Sequence, residues 1–273
     1  MTTAAPGFYD AAMVGVVAVL AFVVAVAAGV FSTWSPCGLS MMSQLTPVAE
    51  RGRGHRYGVT ASWFVLGALA GGATLGVAVA LLALAFHAVG LSAATSSAIA
   101  ALFALGGAAV DARLLPFAPP FLRRQVDENW LTSYRGWVYG FGFGWQIGAG
   151  VTTYIMTSAV FVLIAFAGLS ASPLAAFAAA MTFAMVRGLA VFSTARITSP
   201  EALRAFHRRV DISAPYMRIA VAFVLGLVAL VAATAAWDAV GLFIAAAAVV
   251  TGTLVAVPRR RVAQSSIEGF VDR

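Results

Sequence analysis

Runs of about twenty apolar residues recur along this chain, and the connections between them alternate between arginine-bearing and arginine-free. A hydrocarbon core of roughly 30 Å is crossed by about 20 helical residues. Backbone at that depth must satisfy its own hydrogen bonds, so such runs fold as helices. The spans read at 11–47, 58–86, 93–115, 136–169, 173–197, 216–236 and 239–257. With 62% hydrophobic and 10% charged residues, the chain has too little polar surface to clothe a soluble domain. The pattern predicts an all-α integral membrane protein of about seven transmembrane helices.

The net charge of +7 follows the membrane rather than a nucleic-acid-binding face. All 17 basic residues are arginines. Arg51, Arg53 and Arg56 fill the first connection, and none lies between Phe86 and Ser92. Arg113, Arg123, Arg124 and Arg135 surround the third, Arg196, Arg204, Arg208 and Arg209 the fifth, and Arg259, Arg260 and Arg261 the tail. By the positive-inside rule the N-terminus lies outside and the C-terminus in the cytoplasm of an inner or plasma membrane. Ala25-Val26-Ala27 looks like a signal-peptide cleavage site. Residues 1–10 carry Asp10 and no positive charge, so the first helix reads as uncleaved.

Two apolar segments are too long for one straight crossing. Asp10 to Arg51 would reach about 60 Å and Gly136 to Gly168 about 50 Å if wholly helical. Each carries a breaker-rich centre, "STWSPCGLS" in the first and "GFGFGWQIGAG" in the second. Laid on each other, Trp34 matches Trp145 and Cys37 matches Gly148. The two segments run in opposite directions, which predicts two inverted three-helix repeats with broken first helices, plus one extra helix. The boundaries are 11–115 for the first repeat, 116–135 for a proline-rich cytoplasmic connection and 136–236 for the second repeat. The extra helix takes 239–257 and a cytoplasmic tail 258–273. In the connection, Leu122, Val126, Trp130 and Leu131 share one face of a short amphipathic helix. Close packing through small residues explains "GFGFG" by itself without any site.

Cys37 is the single cysteine, so no disulfide closes within the chain. Pro36 restarts a helix beneath it, and a helix N-terminus favours the negatively charged thiolate. An N-out first helix ending in Ser-Pro-Cys-Gly-Leu, an arginine-bearing loop and a Gly-Phe-Gly-X-Trp opening of the fourth helix together resemble the CcdA/DsbD (cytochrome c biogenesis) transmembrane family. That family passes reducing equivalents from cytoplasmic thioredoxin to extracytoplasmic thiol proteins, using one cysteine in each repeat beside a helix-breaking proline. "SPCGLSMMSQLTP", with Pro47 further on, is similar to the first motif. In the second, Ile147-Gly148 stands where the family has Pro-Cys. The resemblance implies Cys37 as the reactive thiol, framed by Trp34, Pro36 and Gly38, with Trp145, Gly148 and Gly150 at the opposite break. A thioredoxin-like or other extracytoplasmic thiol protein would supply the second thiol. The MauF membrane proteins of methylamine-utilisation operons are a second resemblance, of kinship rather than motif.

Two other readings use the same region. Cys37, Met41 and Met42, joined by Met156 and the Met181–Met185 pair, form a soft donor set suited to Cu(I) in a small-solute or metal transporter. Methionine also fills gaps in apolar cores, which suits a non-catalytic scaffold. Arg187 is the one arginine well inside a span, about 13 Å from Arg196 along the helix, and marks a charge site. No carboxylate shares its depth, so exposed carbonyls at a helix break, an anionic solute or the headgroups would have to meet it. Ser43, Gln44, Thr46, Thr152, Thr153, Thr157 and Ser158 give the breaks a polar lining or bond to their own helices. The loop over 198–215 begins with a proline-initiated helix turn and reads like the amphipathic connection, with His207 as a solvated loop residue, and Asp10, His87 and Asp238 read as interfacial. No cofactor motif is present, no conventional enzyme is indicated, and membrane lipids are the remaining partners.

Overall fold

The computed structural model describes residues 6–115, 129–152, 157–234 and 236. Four serine- or threonine-proline pairs punctuate the fold. Ser35, Thr46, Ser172 and Ser199 each accept a bond from the amide three residues on, and a proline follows each as the first helical residue. Proline there loses no bond the helix would have made, and it holds the residue before it extended. The helices are α1 (Pro6–Phe31), α2 (Pro36–Gln44), α3 (Pro47–Gly52), α4 (Tyr57–Val89) and α5 (Ala93–Asp111). After them come α6 (Trp130–Ser133), α7 (Gly136–Gly148), α8 (Ala159–Leu169), α9 (Pro173–Leu189) and α10 (Pro200–Thr234). Single 3-10 turns, Ser32–Trp34 and Ala190–Thr194, extend α1 and α9. No strand occurs among the described residues.

Five helical segments are long and apolar enough to cross a membrane: Val14–Trp34, Tyr57–Val89, Ala93–Asp111, Pro173–Thr194 and Pro200–Thr234. Their outward faces suit lipid. Val19, Val23, Val26 and Val30 on α1 and Val77, Leu81 and Leu84 on α4 are exposed stripes that water would not tolerate at this density. The chain is a multi-pass helical membrane protein. The seven-crossing expectation is met only in part. The fourth expected span is two short helices, α7 of 13 residues and α8 of 11, neither long enough to cross alone. The seventh span, the tail and residues 116–128 of the connection lie outside the described residues.

Both over-long segments do break. The first stops at Ser35, whose extended backbone (φ −71°, ψ 151°) separates α1 and its 3-10 turn from α2. The second stops at Gly148, and Gly150 beyond it adopts φ +72°, a left-handed conformation that glycine reaches without a Cβ penalty. One expectation is corrected. Residues 198–215 do begin with the proline-initiated helix turn read there, but they do not continue as a loop, because α10 runs unbroken from Pro200 through Pro215 to Thr234. Proline removes one amide donor and crowds the preceding turn, and a sequence reading takes that as a stop. Here the buried Val210 before it and Val221 after it hold one helical path against the bundle.

The main core joins α1, α4, α5, α8, α9 and α10 through residues such as Val24, Val79, Leu163, Phe166, Phe183 and Leu225. A second, smaller core packs Met41, Leu45, Phe64, Tyr139, Phe143, Ile147 and Val191 between α2, α4, α7 and the turn after α9. The tightest seam is α4 on α7. A Cβ added at Gly67 or Gly71 would collide with the carbonyls of Phe141 or Trp145, and one at Gly144 or Gly148 with those of Phe64 or Ala68. Glycines four apart on both helices let the backbones touch, which is how membrane helices associate where lipid removes the hydrophobic drive. Gly148→Ala is expected to lower stability by about 1–3 kcal/mol, since backbone must move to admit the methyl. Gly106→Ala, where a Cβ meets nothing within 4 Å, is expected to be neutral. Thermal unfolding of the two variants in detergent checks this.

Candidate functional site

Cys37 is the second residue of α2. Ser35 Oγ accepts from the Gly38 amide at 3.1 Å, and Pro36 fills the first position, so Ser-Pro-Cys-Gly is a helix start written residue by residue. Glycine at 38 has a packing reason, as a Cβ there would lie 2.6 Å from the Thr33 carbonyl. Cys37 is 1% exposed.

On α9 lies the buried Arg187. Its guanidinium is within electrostatic reach of Cys37. It donates to the Ile147 carbonyl at 2.7 Å and sits over the Phe183 ring at 5.6 Å. At 4% exposure it does not snorkel to the headgroups. The partner is the broken end of α7, the kind of exposed carbonyl that the sequence pointed to. This bond ties α9 to the second break.

The other residues singled out in the sequence are dispersed around this centre. Gly148 does not face Cys37, because its Cβ direction runs into the Ala68 backbone of α4. Trp145 is on the outer side of α7, 36% exposed, and donates to Thr74 at 3.2 Å. Trp34 donates to Ser213 of α10 at 2.9 Å. Pro47 begins α3 behind the Thr46 cap. Met41 is packed in the smaller core, whereas Met42 accepts from Ser193 at 3.7 Å and lines an apolar cavity of about 350 Å³. Thr33, Trp34 and Val186 share that cavity. Met185 is 47% exposed, two residues and so about half a turn around α9 from Arg187. Met156 lies outside the described residues.

Several polar clusters escaped the sequence reading. Glu50, fully buried in α3, accepts from Arg53 at 2.7 Å, from Thr60 at 2.6 Å and from Tyr139 at 2.8 Å. Tyr139 also meets His55 Nδ1 at 3.2 Å, and Arg53 donates to both the Gln44 carbonyl and its side chain. Counting arginines to orient the loop passed over the one acid among them. Asp111, buried at the end of α5, accepts from Thr157 at 2.8 Å and from the Ser158 amide at 3.0 Å, fixing the start of α8. His207 bonds Ser43, so it ties α10 to α2 rather than standing solvated in a loop. Among the described residues, no group of three His, Cys, Asp or Glu forms a metal-binding cluster.

The chain is similar to curated proteins called methylamine utilization protein MauF. The Paracoccus versutus protein is 34% identical over 195 residues, 67% of this chain and 66% of that protein. The Paracoccus denitrificans protein is 35% identical over 145 residues, 51% of this chain and 50% of that one. The Methylophilus methylotrophus protein is 29% identical over 196 residues, 67% and 63%. The matched stretches therefore span from half to just under two thirds of these relatives' lengths. No family model matches the chain, and no solved structure gives a significant match.

Glu50→Ala is expected to cost about 3 kcal/mol, because Thr60 loses its buried acceptor while Arg53 and Tyr139 keep only their bonds to Gln44 and His55. Tyr139→Phe is expected to cost about 1–2 kcal/mol, because Glu50 keeps its other donors. Denaturant unfolding of both variants against the unaltered chain measures the order.

Proposed function

We propose that this chain is a MauF-like membrane accessory protein that assists maturation of an extracytoplasmic thiol-, cytochrome- or cofactor-bearing protein, with Cys37 as its reactive thiol. The observation that carries the reading is the placement of Cys37 at the start of α2, within electrostatic reach of the buried Arg187. The thiolate is the nucleophilic form of a cysteine, so the charge environment of Cys37 bears on its reactivity. The similarity to MauF proteins over 67% of the chain supports the accessory role. The Ser-Pro-Cys-Gly motif supports the thiol chemistry.

The chain has one cysteine, so both other sulfur centres belong to partners. In the proposed cycle the Cys37 thiolate attacks one sulfur of a partner's disulfide. A Cys37–partner disulfide forms and the partner's other sulfur leaves as thiolate. A dithiol partner then attacks the Cys37 sulfur with one of its thiols, releasing the first partner as a dithiol. Its second thiol displaces Cys37, which returns to the thiolate as the donor becomes a disulfide. One partner is reduced by two electrons, the other oxidised by two, and Cys37 is unchanged. Cys37 is 1% exposed, so the proposed cycle requires it to be uncovered before it meets a partner.

Acid quenching of intact cells, followed by non-reducing separation, is expected to reveal a partner adduct that disappears in Cys37→Ser. Arg187→Gln is expected to slow its formation about tenfold, and Arg187→Lys less, the loss of one charge-assisted interaction. An unaltered maturation phenotype in Cys37→Ala with no adduct would make Cys37 packing and the protein a scaffold. Stoichiometric copper, lost on replacing Met42, would make it a soft-metal transporter.

A further inference from the structure

The tight seam between α4 and α7 opens at its arginine-rich end into a cleft of about 700 Å³. His55, Arg56, Thr60, Trp63, Arg135 and Trp137 are among its walls. The charge is one-sided. Arg56 and Arg135 are exposed, and no ion pair among the described residues engages either of them. The acid behind the cleft, Glu50, is already occupied by Arg53, Thr60 and Tyr139. Both arginines also stand at helix starts with extended backbone, and neither α4 nor α7 has a side chain capping its first-turn amides. First-turn amides have no acceptor within their own helix, and Gly136 at the start of α7 lines the cleft.

The aromatic wall sets the class of anion. Trp63 and Trp137 are 37% and 51% exposed with ring centroids 5.9 Å apart, and Phe141, 37% exposed, continues the surface down α7 at 6.5 Å from Trp63. Exposed tryptophan above an apolar helix face is how membrane proteins meet the headgroup level. A soluble anion gains nothing from that wall, whereas a phospholipid uses both halves of the cleft. We propose that the α4–α7 cleft binds an anionic phospholipid, its phosphate between Arg56 and Arg135 and an acyl chain along Val59, Trp63 and Phe141. The site holds lipid against the seam that carries α7, and it stands independently of the chemistry at Cys37.

The purified full chain is exposed in detergent to an equimolar mixture of phosphatidylglycerol and phosphatidylcholine, and retained lipid is counted by native mass spectrometry. Selective retention of phosphatidylglycerol is expected. The Arg56→Gln/Arg135→Gln variant is expected to hold it about 25-fold more weakly, about fivefold for each arginine. Arg204→Gln/Arg208→Gln, removing two exposed charges from α10, is expected to leave retention unchanged, which separates a site from bulk charge. Equal retention of the two lipids by the unaltered chain would overturn the proposal, as would undiminished retention by the Arg56/Arg135 variant. Displacement of phosphatidylglycerol by millimolar inorganic phosphate would also overturn it and mark a free-phosphate site. The lipid comparison on the unaltered chain needs no variant to fold.

Discussion

The carbonyl oxygens of Phe64 and Ala68 lie against the α-carbons of Gly144 and Gly148, and the position of α7 depends on this contact of backbones without side chains between them. With α7 fixed, the Ile147 carbonyl is presented to Arg187, Tyr139 to Glu50, and Phe143 to Met41 and Leu45. A charge in the middle of a membrane span persists only where something satisfies it. The end of a glycine-locked half-helix supplies that partner. The broken end of α7 is thus packed and hydrogen-bonded rather than left open.

This contact also changes the meaning of the absent second cysteine. Compared with a two-cysteine motif, Gly148 looks like a deletion of chemistry. In the fold it is a requirement of packing, since any Cβ at that position strikes the Ala68 backbone. The charge within electrostatic reach of Cys37 is the Arg187 guanidinium.

Element positions were largely legible, because apolar runs and Ser/Thr-Pro pairs act within a few residues of themselves. The starts of α2, α3, α9 and α10 can be read at Ser35, Thr46, Ser172 and Ser199. The breaks were legible too, since a run of 41 residues exceeds any bilayer. Pro215 misled, because a proline in water ends a helix that tertiary packing carries through here. Arg187 was visible as a charge out of place, and an exposed carbonyl was among its anticipated partners. The Glu50 shell was not legible. Its donors come from Arg53, Thr60 and Tyr139, and nothing in a heptapeptide such as Pro47–Arg53 announces a tyrosine 89 positions away. Asp111 failed in the same way, its partners Thr157 and Ser158 lying 46 and 47 residues on.

The shell around Glu50 has a consequence for biogenesis. The chain enters the membrane from its N-terminus, so Glu50, Arg53 and Thr60 arrive long before Tyr139. Until α7 is delivered, the carboxylate lacks its aromatic donor and the seam lacks the helix that shuts water out. The early segments cannot reach their final energy on their own, and must wait, loosely assembled, for the later ones. Quality control has a simple signature to read in that interval: a half-satisfied acid at the arginine-rich end of an unfinished bundle.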